Sequence, residues 1–266
     1  MSGEAFQPIS VKPPSAGRLG FALRCLVDLQ LATIVRPLRP AMACLPAGEI
    51  IDVGAGQSPW REWLPQSCRY VGLDIENAND FGMREAGDIH LYDGQVMPFA
   101  DERFAGALCI EVLEHAADPD RLLAEVARVL KTGSPLLLTV PWSARRHHVP
   151  YDFHRFTKER LYQLLTRHGF AQVDIHERGD DVAVIANKLI VLTIRSIKRI
   201  NLINVLVLLP AAALFALMSA IMLALAHLPR GWGLGSDADP LGYFCHAVKS
   251  PGDREAATAA DIAHRP

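Results

Sequence analysis

Residues 49–56 read Glu-Ile-Ile-Asp-Val-Gly-Ala-Gly, and residues 70–76 read Tyr-Val-Gly-Leu-Asp-Ile-Glu. Each is a short apolar run closed by a carboxylate, Asp52 in the first and Asp74 in the second. Continuous apolar runs of this length are what buried parallel strands look like. The glycines at 54 and 56 follow the first run at once, and a glycine turn at a strand's carboxyl end lets a ligand approach the backbone. A carboxylate ending the next strand is placed to accept both hydroxyls of a ribose. The pair predicts a nucleoside-containing cofactor at the carboxyl edge of an open sheet.

The details around the glycines select among such cofactors. A dinucleotide fingerprint places its third small residue at position 59, and that residue is Pro59. A pyrophosphate favours a helix N-terminus without an anion aimed at it, yet Asp52 precedes the first glycine. A carboxylate there suits a cation, such as the sulfonium and ammonium of S-adenosylmethionine. Here the chain resembles the class I S-adenosylmethionine-dependent methyltransferases, whose first motif is an acidic residue followed by G-x-G-x-G. Asp52, Gly54 and Gly56 match it, and Ser58 stands where the third glycine would be.

The rest of the chain reads as alternating strands and helices, which means a doubly wound, parallel sheet. Strands are expected at 89–93, 104–112, 136–140 and 171–176. Asp118-Pro119 opens a helix whose Leu122, Leu123, Val126, Val129 and Leu130 share a face. Gly133 follows its end. Thr157 caps another helix, with Leu161, Leu164 and Leu165 apolar. The apolar stretch Leu19 to Val35, broken by Arg24 and Asp28, reads as one amphipathic helix ended near Pro37 and Pro40 rather than as a signal peptide. Its expected place is across the sheet or over the cofactor site.

Composition excludes some classes. Lys and Arg number 27 against 29 Asp and Glu, so no field points to nucleic acid. Five scattered cysteines without a C-x-x-C pair suit reduced thiols in the cytoplasm, with neither a disulfide framework nor a zinc site.

The middle of the chain extends the resemblance. Asp93-Gly-Gln-Val-Met-Pro-Phe-Ala-Asp-Glu-Arg-Phe104 is similar to the family's D-x-x-x-L-P-F-x-x-x-x-F stretch, with Ala105 where Asp is usual. Glu111-Val-Leu-Glu-His115 before Asp118-Pro119, and Glu125 to Gly133, resemble its next motifs. The resemblance implies that Asp52, Gly54 and Gly56 line the methionine end and Asp74 binds the ribose. It places Asp93 and Gly94 by the adenine, and Cys109 to Glu111 on the sulfonium side. Read alone, Asp93-Gly94 is equally a turn-forming pair.

His147-His-Val-Pro-Tyr-Asp-Phe-His-Arg-Phe-Thr157 resembles a segment of a methyltransferase subgroup linked to modification of cell-envelope glycans or lipids. It follows the fifth strand at the ligand edge. Histidine titrates near working pH, so His147 and then His115 are the candidate bases for a hydroxyl acceptor. The competing reading is that Asp152 and Arg155 brace the loop and the histidines are exposed. No standard metal-ligand spacing is present, so no metal is expected.

No charged residue occurs between Ile200 and Pro229, a length able to cross a bilayer, which takes about 20 residues. A single crossing conflicts with Leu241 to Ser250, which resembles the family's last, antiparallel strand and must return beside 171–176. The alternatives are an interfacial hairpin broken at Pro210, a first crossing by Val182 to Ile197, or a buried pair or dimer interface in a soluble protein.

The expected organisation is an N-terminal helical extension (1–48), a methyltransferase core (49–180), an apolar helical insertion (181–232), the last strand of the core (233–250) and a disordered tail (251–266). The expected fold is α/β: a Rossmann-like, doubly wound, mostly parallel sheet with an antiparallel last strand. The expected activity is methyl transfer from S-adenosylmethionine to a small or lipid-linked acceptor, at oxygen, on the inner face of a membrane. The alternatives are a nicotinamide-dependent oxidoreductase and a non-catalytic, membrane-attached cofactor-binding protein.

Overall fold

The computed structural model describes residues 11, 13–57, 59–76, 89–228 and 234–251. Ser58 and residues 252–266, two places where the sequence reading made a statement, lie outside them. Seven strands form one sheet: β1 (Gly48–Val53), β2 (Cys68–Ile75), β3 (Ile89–Tyr92), β4 (Gly106–Ile110), β5 (Pro135–Pro141), β6 (Phe170–Arg178) and β7 (Gly242–Lys249). Their order is β3-β2-β1-β4-β5-β7-β6. Pairings among β1 to β5 are parallel, and β7 is antiparallel to both β5 and β6. This is the expected Rossmann-like sheet with its antiparallel last strand. The order reverses between β1 and β4, and ligands of open α/β sheets bind at such a switch point, outside the strands' carboxyl ends.

The strands are apolar runs because both faces are covered; β4 is buried at all its positions. On one face lie α3 (Pro119–Val129) and α4 (Lys158–Arg167). Asp118 caps α3 by accepting from the Arg121 amide, and Thr157 caps α4 by accepting from that of Arg160. Leu122, Leu123, Val126, Val129, Leu161, Leu164 and Leu165 join Phe104, Leu136 and Leu138 in one core. Each such leucine contributes about 1.5–3 kcal/mol by leaving water.

The opposite face carries α2 (Leu29–Ala43), and here the structure departs from the sequence reading. The expected single helix is two, α1 (Arg18–Val27) and α2, and the break is at Asp28. Its carboxylate accepts from the Leu31 amide and so caps α2. Pro37 and Pro40 lie within α2 instead of ending it. A proline inside a helix forfeits a hydrogen bond. Burial of Leu31, Ile34, Leu38 and Met42 against Ile50, Leu108, Leu137 and Phe244 offsets that loss. None of the residues of α1 is buried.

Between β6 and β7 the chain forms a helical hairpin, α5 (Asp181–Arg199) and α6 (Val205–Ala226). Pro210 does not break α6. Thr193 and Ser219 hydroxyls meet at 3.2 Å between the helices. At the root, Ala183, Val184 and Ala186 pack with Leu29 and Leu241, flanked by Met222 and Leu223. Away from the root α6 is bare: only Ala212 and Ser219 of its residues are buried. At the hairpin turn Leu202 and Ile203 are 94% and 96% exposed. Among the described residues, Val205–Ala226 is the one helix long and apolar enough to span a membrane.

Candidate active site

The carboxyl ends of β1, β2 and β4 meet at the switch point. Gly54 and Gly56 have φ of 69° and 53°, the left-handed region that favours glycine. A Cβ on Gly54 would collide with the Val112 side chain, just past β4. The turn hangs on the end of β2: the Gly54 and Ala55 amides donate to the Leu73 carbonyl at 2.8 and 3.0 Å. The Gly56 amide donates to Asp74 Oδ2 at 2.8 Å, and the Ile75 amide to Oδ1 at 2.8 Å. Burial raises the Asp74 pKa, while these two amides pull it back. Each carboxylate oxygen keeps a lone pair for a further donor.

Asp52 is buried, and the Tyr70 hydroxyl donates to it at 2.7 Å. Burial pushes its pKa up to about 7, against the pull of Tyr70 and with a smaller push from Asp74. A buried carboxyl group in this state gains from a nearby cation. Asp93 and Gly94 follow β3 beside the end of β2, where the Glu76 amide donates to the Tyr92 carbonyl at 3.0 Å. Asp93 accepts from the Gln95 amide at 2.8 Å in a tight turn and remains exposed. Gly94 has φ of 79°, and a Cβ there would meet the Ile75 side chain at 3.8 Å. The pair forms the turn that one of its two readings expected.

At the end of β4 the candidates separate. Cys109 is enclosed in the apolar core, and burial raises its thiol pKa. Glu111 reaches the edge with φ of 56°, its amide bonded to the Thr139 carbonyl and hydroxyl. Its carboxylate accepts from Arg178 at 2.7 Å. The sequence reading did not single out Arg178. It ends β6, is almost fully buried, and donates to the Tyr243 and Val140 carbonyls. Its other guanidinium nitrogen is buried without a partner. A Cβ on Gly242 would strike this guanidinium, so the glycine makes its room. The sequence signal was a charged residue closing a strand just before Gly179.

The loop after β5 closes over a short turn, Leu113–His115. Phe153 and His154 amides donate to the Glu114 carbonyl at 3.0 and 3.1 Å. Asp152 does brace the loop, accepting twice from Arg155 at 2.6 and 2.9 Å and from the His147 amide at 3.0 Å. Yet His147 is buried, not exposed as the bracing alternative required. His115 and His147 approach to 3.1 Å between Nε2 atoms. Burial lowers the pKa of His115 to about 4, and that of His148 likewise to about 4. Glu114 is fully buried beside them. Burial, then repulsion from Glu111, pushes its pKa well above the usual range against the pull of Arg155 and Arg178. Sequence reasoning quoted Glu114 within its run but gave it no role.

Residues 51–138 match the family model of the methyltransferase domain. Residues 51–138 carry a methyltransferase domain. The chain is 28% identical over 104 residues to the methyltransferase GfsG of Streptomyces halstedii, covering 34% of this chain and 36% of that one. It is 29% identical over 154 residues to the O-methyltransferase cnsE of Penicillium expansum, covering 50% and 55%. The chain thus spans about half, or less, of these relatives' length. Its fold resembles that of the [4+2]-cyclase SpnF, with a TM-score of 0.51, 18% identity, and 94% and 100% of the two chains covered. Sharing a fold with a cyclase is a reminder that reaction is decided in the site.

S-adenosylmethionine is the cofactor of such methyltransferase domains, and the crevice suits it. The backbone is open at Gly54 and Gly56, and Asp74 retains acceptor capacity for hydroxyls. Asp52 is a buried carboxyl group that a cation would relieve, and among the described residues no α-helix starts directly after the glycine turn, where a pyrophosphate would need one.

Proposed function

We propose that this chain transfers a methyl group from S-adenosylmethionine to an oxygen of a small or lipid-linked acceptor. The observation that carries the reading is that the glycine turn, Asp74 and the histidine loop all follow the carboxyl ends of strands flanking the β1–β4 switch point, on one edge of the sheet. Asp52, Gly54 and Gly56 would hold the methionine end, Asp74 the ribose and Asp93 with Gly94 the adenine. The bound cofactor supplies an electrophilic methyl group on its sulfonium. Methyl transfer requires chiefly alignment of nucleophile, carbon and sulfur. Accordingly the protein's part is to fix the acceptor, exclude water and manage its proton. Tied to Glu114 through two backbone hydrogen bonds, the 147–157 loop would orient the acceptor, and His147 with His115 would activate its oxygen. An O-methyltransferase among the relatives supports oxygen as the methylated atom.

Residues 49–180 and 233–250 make up the catalytic core in this reading, and 181–232 the part directed to a membrane. Two unburied apolar surfaces support membrane contact: α6 with its leading turn, and α1, which exposes Leu19, Leu23 and Leu26. They adjoin, since His227 at the end of α6 bonds the Leu26 carbonyl at 2.8 Å. The acceptor would then be presented at the cytoplasmic surface of a bilayer.

Calorimetric titration of the detergent-solubilised protein with S-adenosylmethionine, S-adenosylhomocysteine and NAD tests the core of the proposal. Saturable binding of both adenosyl ligands is expected, weakened at least tenfold, or about 1.4 kcal/mol, in Asp74→Ala. Binding of NAD alone by folded protein would overturn it in favour of an oxidoreductase. His147→Ala is expected to slow turnover and leave S-adenosylhomocysteine affinity as it was; normal turnover would remove His147 from the acceptor side.

A further inference from the structure

We propose that Glu114, His115 and His147 bind one divalent transition-metal ion of the zinc type. Both rings have their tautomer set from behind. Nδ1 of His115 lies 2.7 Å from the Tyr151 carbonyl, and Nδ1 of His147 lies 2.9 Å from the Arg145 carbonyl. A carbonyl only accepts, so each Nδ1 carries the proton and each Nε2 presents its lone pair. Those two Nε2 atoms face each other at 3.1 Å. Two lone pairs at that distance repel unless a cation lies between them.

The second observation is independent of the first. Glu114 is fully buried, and neither carboxylate oxygen has a hydrogen-bond partner. Leaving a buried polar group unpaired costs about 1–3 kcal/mol, and more when it is ionised. Its Oε1 is 3.6 Å from His115 Nε2 and 4.0 Å from His147 Nε2. The point equidistant from three atoms spaced this way lies about 2.1 Å from each, within the range of zinc to imidazole nitrogen and carboxylate oxygen. One dication there satisfies the orphaned carboxylate and both lone pairs at once.

The surroundings are those of a prepared site. The two carbonyls behind the imidazoles serve as outer-shell partners. Asp152 holds the His147 amide and Arg155, and Arg155 also donates to the Arg145 carbonyl at 3.2 Å. Two histidines and one carboxylate leave a coordination position open, the arrangement of a catalytic ion. That position takes water or, if the methyl-transfer reading holds, the acceptor oxygen; His115 and His147 are then ligands and not bases. Only that last role rests on the proposed function.

Binding tests it without assay of activity. The full chain in detergent, stripped with chelator, is titrated with Co(II) and followed by visible absorption, then back-titrated with Zn(II). One cobalt per chain with ligand-field bands, displaced by zinc, is expected. Glu114→Gln and His147→Asn should each weaken zinc by more than about a hundredfold, beyond the loss typical of outer-shell changes. His176→Asn, an exposed histidine paired with Asp174, should leave the affinity unchanged. Equal zinc affinity in wild type and His147→Asn, with both folded by circular dichroism, would overturn the site, as would the absence of cobalt bands. S-adenosylhomocysteine titration of the same samples separates this outcome from failure of the methyltransferase reading.

Discussion

At the residue scale, Asp52 carries the clearest electrostatic consequence. Its folded pKa of about 7 lies above the ordinary carboxylate value of about 4. The ionised form is the one the fold disfavours. Its contribution to stability is therefore fully present below about pH 4 and is lost as pH rises through about 7. Asp52→Asn should remove this trend, so the variant gains on wild type between pH 5 and pH 8, by at most about 1.4 kcal/mol per pH unit. Urea unfolding at the two pH values measures it, and parallel behaviour of the two proteins would refute the assignment. Asp52 and Asp74 were legible in the sequence because each ends an apolar run. Glu114 and Arg178 were not, because a side chain's burial and its orphaned atoms depend on residues far away in the chain.

Among the elements, the split of the N-terminal segment has measurable meaning. Leu38 on α2 is fully buried against the sheet, whereas Leu23 on α1 is 55% exposed. Leu38→Ala should cost about 2–5 kcal/mol through lost burial and the cavity left behind. Leu23→Ala should fall within about 0.5 kcal/mol in detergent solution. Chemical denaturation of the two variants checks this, and similar costs would mean that α1 is as well packed as α2. Proline positions misled here. A local rule that prolines end helices gives way when the apolar face on both sides of them is anchored to a sheet. At Pro210 too the helix continues, there without a sheet behind it. The caps at Asp118 and Thr157, by contrast, follow from side chains bonding amides three residues on, and sequence spacing contains that geometry.

For the whole molecule, the hairpin and sheet are compatible because β7 returns beside β6. Its register, with Ile175 opposite Cys245 and Glu177 opposite Tyr243, brings both ends of the insertion to one edge of the sheet. The bare surface of α6 and its leading turn then faces away from the core. Ile203→Glu with Leu206→Glu should abolish co-flotation with anionic lipid vesicles, since burying a carboxylate in lipid is unfavourable. The variant's affinity for S-adenosylhomocysteine should not change. Vesicle binding that survives both charges would remove the hairpin from the membrane contact.

The sequence by itself determined the sheet's class, the glycine turn, the two strand-end carboxylates and the helix caps. Each depends on residues adjacent in the chain, through strand length, backbone freedom or capping reach. Only the tertiary structure decided which helix covers the sheet, that Arg178 reaches Glu111 across strands, and that Glu114 and two histidines share one buried point. The last is the physical reason in miniature: His115 and His147 are 32 residues apart in the chain and 3.1 Å apart in space. That distance is set by the packing of a loop against a turn, and no spacing in the chain encodes it.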